Sequence, residues 1–152
     1  MVRLNYSTVA PELLRAMGAL QVAVRHSGLP ESLIELIKLR ASYANGCAYC
    51  VDMHTKDALA AGETAQRLFG VAVWHETPYF TPQERAALAW TDALTHIADG
   101  PPSDELFEEV SGLFTPAEVA YLTLAIVAIN GWNRIALSLG ADVGSYQVPA
   151  KG

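Results

Sequence analysis

Charge is what this chain has least of. Only 17% of its 152 residues are Asp, Glu, Lys or Arg, against 51% in the AVILMFWYC set. Soluble domains average about 25% charged residues, so an apolar excess of this size excludes a disordered chain. Basic residues are the scarcer kind, ten against sixteen acidic, for a net charge of −6. No Lys or Arg run breaks that balance, which excludes the electrostatic footprint of nucleic-acid binding. Long apolar runs are missing too. The longest, Ala120 to Ile129, is interrupted by Thr123 and falls short of the roughly 18–20 residues that a membrane span needs. The N-terminal stretch MVRLNYSTVAPELL lacks the continuous apolar core of a signal peptide. No membrane partner is expected, and a reducing cytoplasmic compartment is.

Strand alternation with hairpin turns is also absent, and helical periodicity runs almost throughout. Pro11 and Pro30 open two apolar segments that reach about His26 and Tyr43, and Asn45-Gly46 marks the turn after the second. A third helix is expected to start at or beside Cys47 and end near Ala61-Gly62, with a shorter helical segment from Glu63 to about Trp74. Thr81-Pro82-Gln83-Glu84 and Thr115-Pro116-Ala117-Glu118 each place an N-cap Thr, a Pro at N1 and a Glu at N3, a strong helix start. The first should run to about Ile97, the second to about Leu139, with a short helix from Ser103 through Val110 between them. The fold class is therefore all-α, a single domain over 1–152 with an irregular, Gly- and Pro-containing tail over 141–152. The two Asn-Gly pairs, Asn45-Gly46 and Asn130-Gly131, hint at a degenerate duplication of helical hairpins.

Cysteine is nearly missing as well: there are two, Cys47 and Cys50. In a reducing compartment a pair spaced by two residues points to redox chemistry or metal rather than a staple. On a helix, Cys47, Cys50 and His54 project from one face within two turns. A helix N-terminus and a neighbouring imidazole both favour thiolate over thiol, and the thiolate is the nucleophile. Glu35, between Ile34 and Leu36 on the preceding helix, would carry a raised pKa in apolar surroundings unless paired. It could exchange protons with His54, so that Glu35, His54 and Cys50 form a proton relay. Other readings remain open at this point. Glu35 could close a capping box with Ser32, His54 could be a hydrogen-bonded core histidine, and the cysteines could be small buried hydrophobes. Zinc could take Cys47, Cys50 and His54 with Glu35 or Asp57 as a fourth ligand. A thioredoxin motif is excluded because no βαβ strand precedes the pair.

Glu35, then Cys47-Ala48-Tyr49-Cys50, then His54 resembles the alkylhydroperoxidase AhpD-like branch of the carboxymuconolactone decarboxylase family. Leu39-Arg40-Ala41-Ser42, Asp52 to Ala58 and Asn130-Gly131-Trp132-Asn133-Arg134 look like that branch as well. The resemblance implies an all-α subunit assembled as a homotrimer or homohexamer, and a thiol-dependent hydroperoxide reductase needing no cofactor. It implies Cys50 as the peroxidatic thiol, oxidised to a sulfenic acid, and Cys47 as the resolving thiol that condenses with it to a disulfide. Glu35 and His54 would move the proton. Position alone would favour Cys47 as the more acidic thiol, but His54 is spaced to serve Cys50. The implied partners are an organic hydroperoxide and a lipoyl or thioredoxin-like thiol reductant. One departure stands out: Tyr49 occupies a position where AhpD has histidine, and a tyrosine cannot act as a base at neutral pH. The alternatives are a redox-responsive or zinc-stabilised non-catalytic module, and a decarboxylase-type enzyme using Glu35 and His54 for acid–base chemistry.

Overall fold

The computed structural model describes residues 1–150, and its described residues are all helix, turn and loop. A single turn, α1 (Tyr6–Val9), leads into α2 (Pro11–Arg25), α3 (Glu31–Ala44), α4 (Ala48–Ala60), α5 (Ala65–Gly70), α6 (Pro82–Thr95), α7 (Asp104–Leu113) and α8 (Pro116–Leu139). The expected Glu63–Trp74 helix is split. Thr64 caps a short α5, and Val73 leaves helical dihedrals within the 3₁₀ segment Val71–Glu76 that follows. Both Thr-Pro-x-Glu starts form complete capping boxes, with each Thr hydroxyl accepting from the N3 amide and each Glu returning to the cap amide. These two boxes satisfy backbone donors that would otherwise be orphaned at the helix ends.

Helix α3 is the axis of the bundle, packed against α4, α6 and α8. Its buried residues, Leu33, Ile34, Glu35, Leu36, Ile37, Leu39, Ala41 and Ser42, face most directions because it has neighbours on several sides. Leu33, Ile34 and Ile37 join Trp90, Val110, Phe114 and Ile126 in one core. Leu36 and Leu39 turn the other way, into a second core with Leu68, Val71, Trp74, Phe80 and Leu88. Arg40 ties the two regions together: its guanidinium forks onto Asp92 of α6, which also accepts from Trp74 Nε1 at 3.0 Å.

Helix α8 is, among the described residues, long and apolar enough to cross a membrane by length and composition, although no run of its residues suggested so. Its packing is that of a core helix, against α2, α3 and α6, and it carries Asn130, Asn133 and Arg134. Gly131 does not make a second Asn-Gly turn but lies inside α8, where a Cβ would come within 2.9 Å of Met17 Cε. The glycine lets α2 approach. Helix α2 is otherwise a thin cover: Val24 is its buried residue, while Leu14 and Val22 stay exposed. Space is left beneath it, and the candidate site lies there. Leu36 is fully buried in the second core, so Leu36→Ala should cost about 2–5 kcal/mol of stability, read as a lowered midpoint in urea unfolding.

Candidate functional site

The turn that presents the cysteines is fastened from behind. Gly46 adopts φ +67°, a left-handed conformation that closes α3 and redirects the chain. Asn45 Nδ2 donates to both Asn130 Oδ1 and Asn133 Oδ1 on α8, each at 2.9 Å, and Asn133 Nδ2 donates to Ser42 Oγ at 3.1 Å. The two Asn-Gly segments that looked like repeats are partners instead: each supplies an amide to one clamp.

Cys47 is the N-cap of α4 rather than a helical residue. Its backbone is extended, and its sulfur accepts from the Cys50 amide at 3.4 Å. The expected helical-wheel placement therefore holds for Cys50 and His54 but not for Cys47, which comes alongside Cys50 by turning back over the first turn. The two sulfurs are joined as a disulfide with Cα atoms 5.3 Å apart. The pair then has two sides. Cys50 and His54 line a cavity of about 310 Å³ with Tyr6, Met53 and Trp132. Cys47 faces a separate depression with Met1 and Arg3.

Glu35 and His54 are both buried, on facing helices, with His54 Nδ1 3.2 Å from Glu35 Oε2. Lys38, one turn along α3, donates to the other carboxylate oxygen at 2.6 Å. Burial alone would raise the Glu35 carboxyl. The hydrogen bond with His54 and the Lys38 ammonium outweigh it and hold the group below the ordinary carboxylate range. The expectation of a raised pKa was conditional on an unpaired carboxyl, and the carboxyl is paired. The capping-box alternative also falls, because α3 begins at Glu31 behind Pro30 and Ser32 caps nothing. With Glu35 ionised, Nδ1 must carry the proton it shares, which leaves Nε2 as the basic nitrogen of His54.

Asp57 lies close to this pair. Polar atoms of Glu35, His54 and Asp57 all fall within 4.8 Å of one another. This grouping is the nearest approach to the expected zinc set, but its oxygens already accept from Lys38, His54 and Tyr146. The sulfurs of that set are bonded to each other. The donor chemistry is that of a proton network. Tyr146 arrives from the tail, which crosses α4: its hydroxyl donates to Asp57 Oδ1 at 2.7 Å and its carbonyl accepts from Lys56. Burial, with the Asp57 carboxylate adding to it, pushes the Tyr146 phenol up to about 12. Tyr49 on the Cys50 side is also shifted up, first by burial, so it stays a protonated donor.

A second, smaller cavity of about 120 Å³ adjoins the first, lined by Arg25, Ile34, Lys38 and Ile129. Gln21, His54 and Trp132 are common to both. Trp132 Nε1 is, among the described residues, a buried polar atom without a partner, a state that costs about 1–3 kcal/mol. Sequence reading missed Gln21, Arg25 and Tyr146. The Gln21–Arg25 spacing of four, polar in an apolar helix, was a usable signal, whereas nothing in the tail marks Tyr146.

A sequence profile of the carboxymuconolactone decarboxylase family matches residues 11–93. The chain is 38% identical over 138 residues to the uncharacterized protein YdfG of Bacillus subtilis, covering 91% of this chain and 94% of that one. An Agrobacterium tumefaciens protein of unknown function, provisionally assigned as the antioxidant defence protein AhpD, superposes with a TM-score of 0.88 at 44% identity, over 99% of this chain and 100% of its own. The alkylhydroperoxidase AhpD core of an uncharacterized peroxidase-related protein from Ralstonia eutropha gives 0.77 at 25% identity, over 91% of this chain and 74% of its own.

The depressed Glu35 carboxyl has a consequence for stability. A carboxyl whose folded pKa lies below its unfolded value stabilises above the unfolded value, and that contribution is lost as pH falls through the folded one. Glu35→Gln should therefore be less stable than the parent at pH 7, and the two should converge in acid, as followed by urea unfolding at stepped pH.

Proposed function

This chain belongs to the carboxymuconolactone decarboxylase family, and we propose that within it the protein is a thiol-dependent organic hydroperoxide reductase. The observation that carries this reading is the shared cavity of Cys50 and His54, with His54 held by Glu35 from behind and Cys47 joined to Cys50 from the other side. His54 Nε2 takes the Cys50 thiol proton. The thiolate attacks the terminal oxygen of the hydroperoxide: a sulfur–oxygen bond forms, the oxygen–oxygen bond breaks, and the alkoxide leaves with the proton from His54 as the alcohol. Cys50 is now a sulfenic acid. Cys47 attacks its sulfur, forms the disulfide and releases water, the Cys47 proton leaving with the hydroxide. A dithiol of lipoyl or thioredoxin type returns both cysteines to thiols. Lys38 and Glu35 keep the imidazole in the required tautomer throughout. Tyr49 lines the cavity as a phenol that stays protonated, and supplies no base.

The working form is a homo-oligomer. Tyr121, Val127 and Leu137 stand exposed on α8, and Phe69, Val73 and Phe107 elsewhere, more large apolar side chains than a charge-poor surface can disperse. Sedimentation at micromolar concentration should give a trimer or hexamer, and a stable 16.3 kDa monomer would refute this part.

With a dithiol reductant, Cys50→Ser should consume cumene hydroperoxide no faster than buffer. Without reductant, Cys47→Ser should be oxidised once and stop as the sulfenic acid, detectable by mass spectrometry after one equivalent of peroxide. Undiminished turnover in Cys50→Ser sinks the proposal. Activity that survives loss of both cysteines would move the chemistry to Glu35 and His54. Stoichiometric zinc lost on thiol alkylation would make the pair a metal-stabilised module instead.

A further inference from the structure

Basic residues are scarce here, and nearly all are engaged. Among the described residues, Arg3, Arg15, Lys38, Arg40, Lys56, Arg67, Arg85 and Arg134 each reach a carboxylate, carbonyl or amide oxygen. Arg25 reaches none, nor an aromatic ring. Its place makes that informative, because it lines the smaller cavity, whose other walls include Ile34, Ile129 and His54. Gln21, one turn earlier on the same face of α2, likewise has no hydrogen-bonding partner among the described residues and lines both cavities. Lys38 also borders the smaller cavity but is committed to Glu35.

We propose that Arg25 binds the carboxylate of the substrate, so that the preferred hydroperoxides are those of organic acids. This rests on the peroxidase reading and names its substrate class. The carboxylate sits on the guanidinium at the α2 edge, the hydrocarbon part crosses the apolar walls past Gln21 and Trp132, and the hydroperoxide group lies by Cys50 and His54. A guanidinium matches a carboxylate with two parallel hydrogen bonds, which fixes the orientation of the molecule as well as holding it. The chain's net charge of −6 does not forbid an anion here, since charges beyond about 8 Å are screened at physiological salt. Arg25 itself is exposed, so its contribution is that of a solvated ion pair, about fivefold in specificity rather than orders of magnitude.

The test uses 4-carboxycumene hydroperoxide and its methyl ester, which differ at the far end from the reacting oxygen. Under a dithiol reductant, the parent should reduce the acid with kcat/KM about fivefold above the ester. Arg25→Gln should bring that ratio close to one, and Arg25→Lys should keep part of it. Arg15→Gln, which removes a charge from the same helix but one paired with Glu12, should leave the ratio where it was. A parent ratio near one, or a ratio that Arg25→Gln does not change, overturns the inference. A binding measurement separates it from the peroxidase reading. Titration calorimetry with 4-isopropylbenzoate, which has no peroxide, should show tighter binding to the parent than to Arg25→Gln. Arg25-dependent binding in a protein that reduces no hydroperoxide would support the anion site and overturn the peroxidase. Equal binding to parent and variant in a protein that does reduce cumene hydroperoxide would overturn the Arg25 inference alone.

Discussion

Everything at the site hangs on the clamp between the α3–α4 turn and α8. Asn45, Ser42, Asn130 and Asn133 bond one another across a gap of some 85 to 91 residues in sequence. Asn133 and Ser42 are fully buried, so any slip of α8 along the turn would leave amides unpaired in a place where water cannot replace the partner. The clamp therefore sets where α4 begins. Once Cys47 is its N-cap, Cys50 and His54 follow at fixed positions on the inner face, and Trp132, beside Asn133, is brought to the wall they share. Packing alone would hold the helices together; the amides decide their register.

The little charge the chain has is spent in the same disciplined way. Arg40 and Asp92 brace the helices behind the site, while Lys38 and Glu35 brace His54. A lone buried carboxylate would protonate and lose its hold on the imidazole. The hydrogen bond from His54 and the ammonium beside it keep it ionised, and the ionised carboxylate keeps the Nδ1 proton in place. Tyr146 and Asp57, which line neither cavity, complete the network. A network bounded in this way leaves its open side at the cavity that His54 borders with Cys50.

Much of this was legible in the sequence, and the reasons it was are local. Capping boxes at Thr81 and Thr115 are written in four consecutive residues, and the structure forms both. The pairing of Glu35 with His54 followed from two antiparallel helices joined by a short turn. What escaped was either backbone detail or long-range contact. Cys47 looked like a helical residue because a wheel assumes helical dihedrals, and a cap does not have them. Asn45 and Asn130 looked like copies of one motif because partners and repeats are alike on paper. Tyr146 sits in a tail with no periodicity, so nothing could place its hydroxyl on Asp57.

The apolar excess has three destinations, which a composition average merges. Part fills the two cores on either side of α3. Another part, on α8, α5, α7 and the 3₁₀ segment after α5, stays exposed and is what an assembly would cover. The third lines the space under α2, and it is the part that bears on chemistry. A helix packed as tightly as α3 would have closed that space; α2, with a single buried residue and its Gln21 and Arg25 turned towards the cavities, leaves it open. Low charge then works in the site's favour. In apolar walls, few polar groups compete for the oxygens of a bound molecule, so those present would fix how a molecule entering beside Cys50 lies.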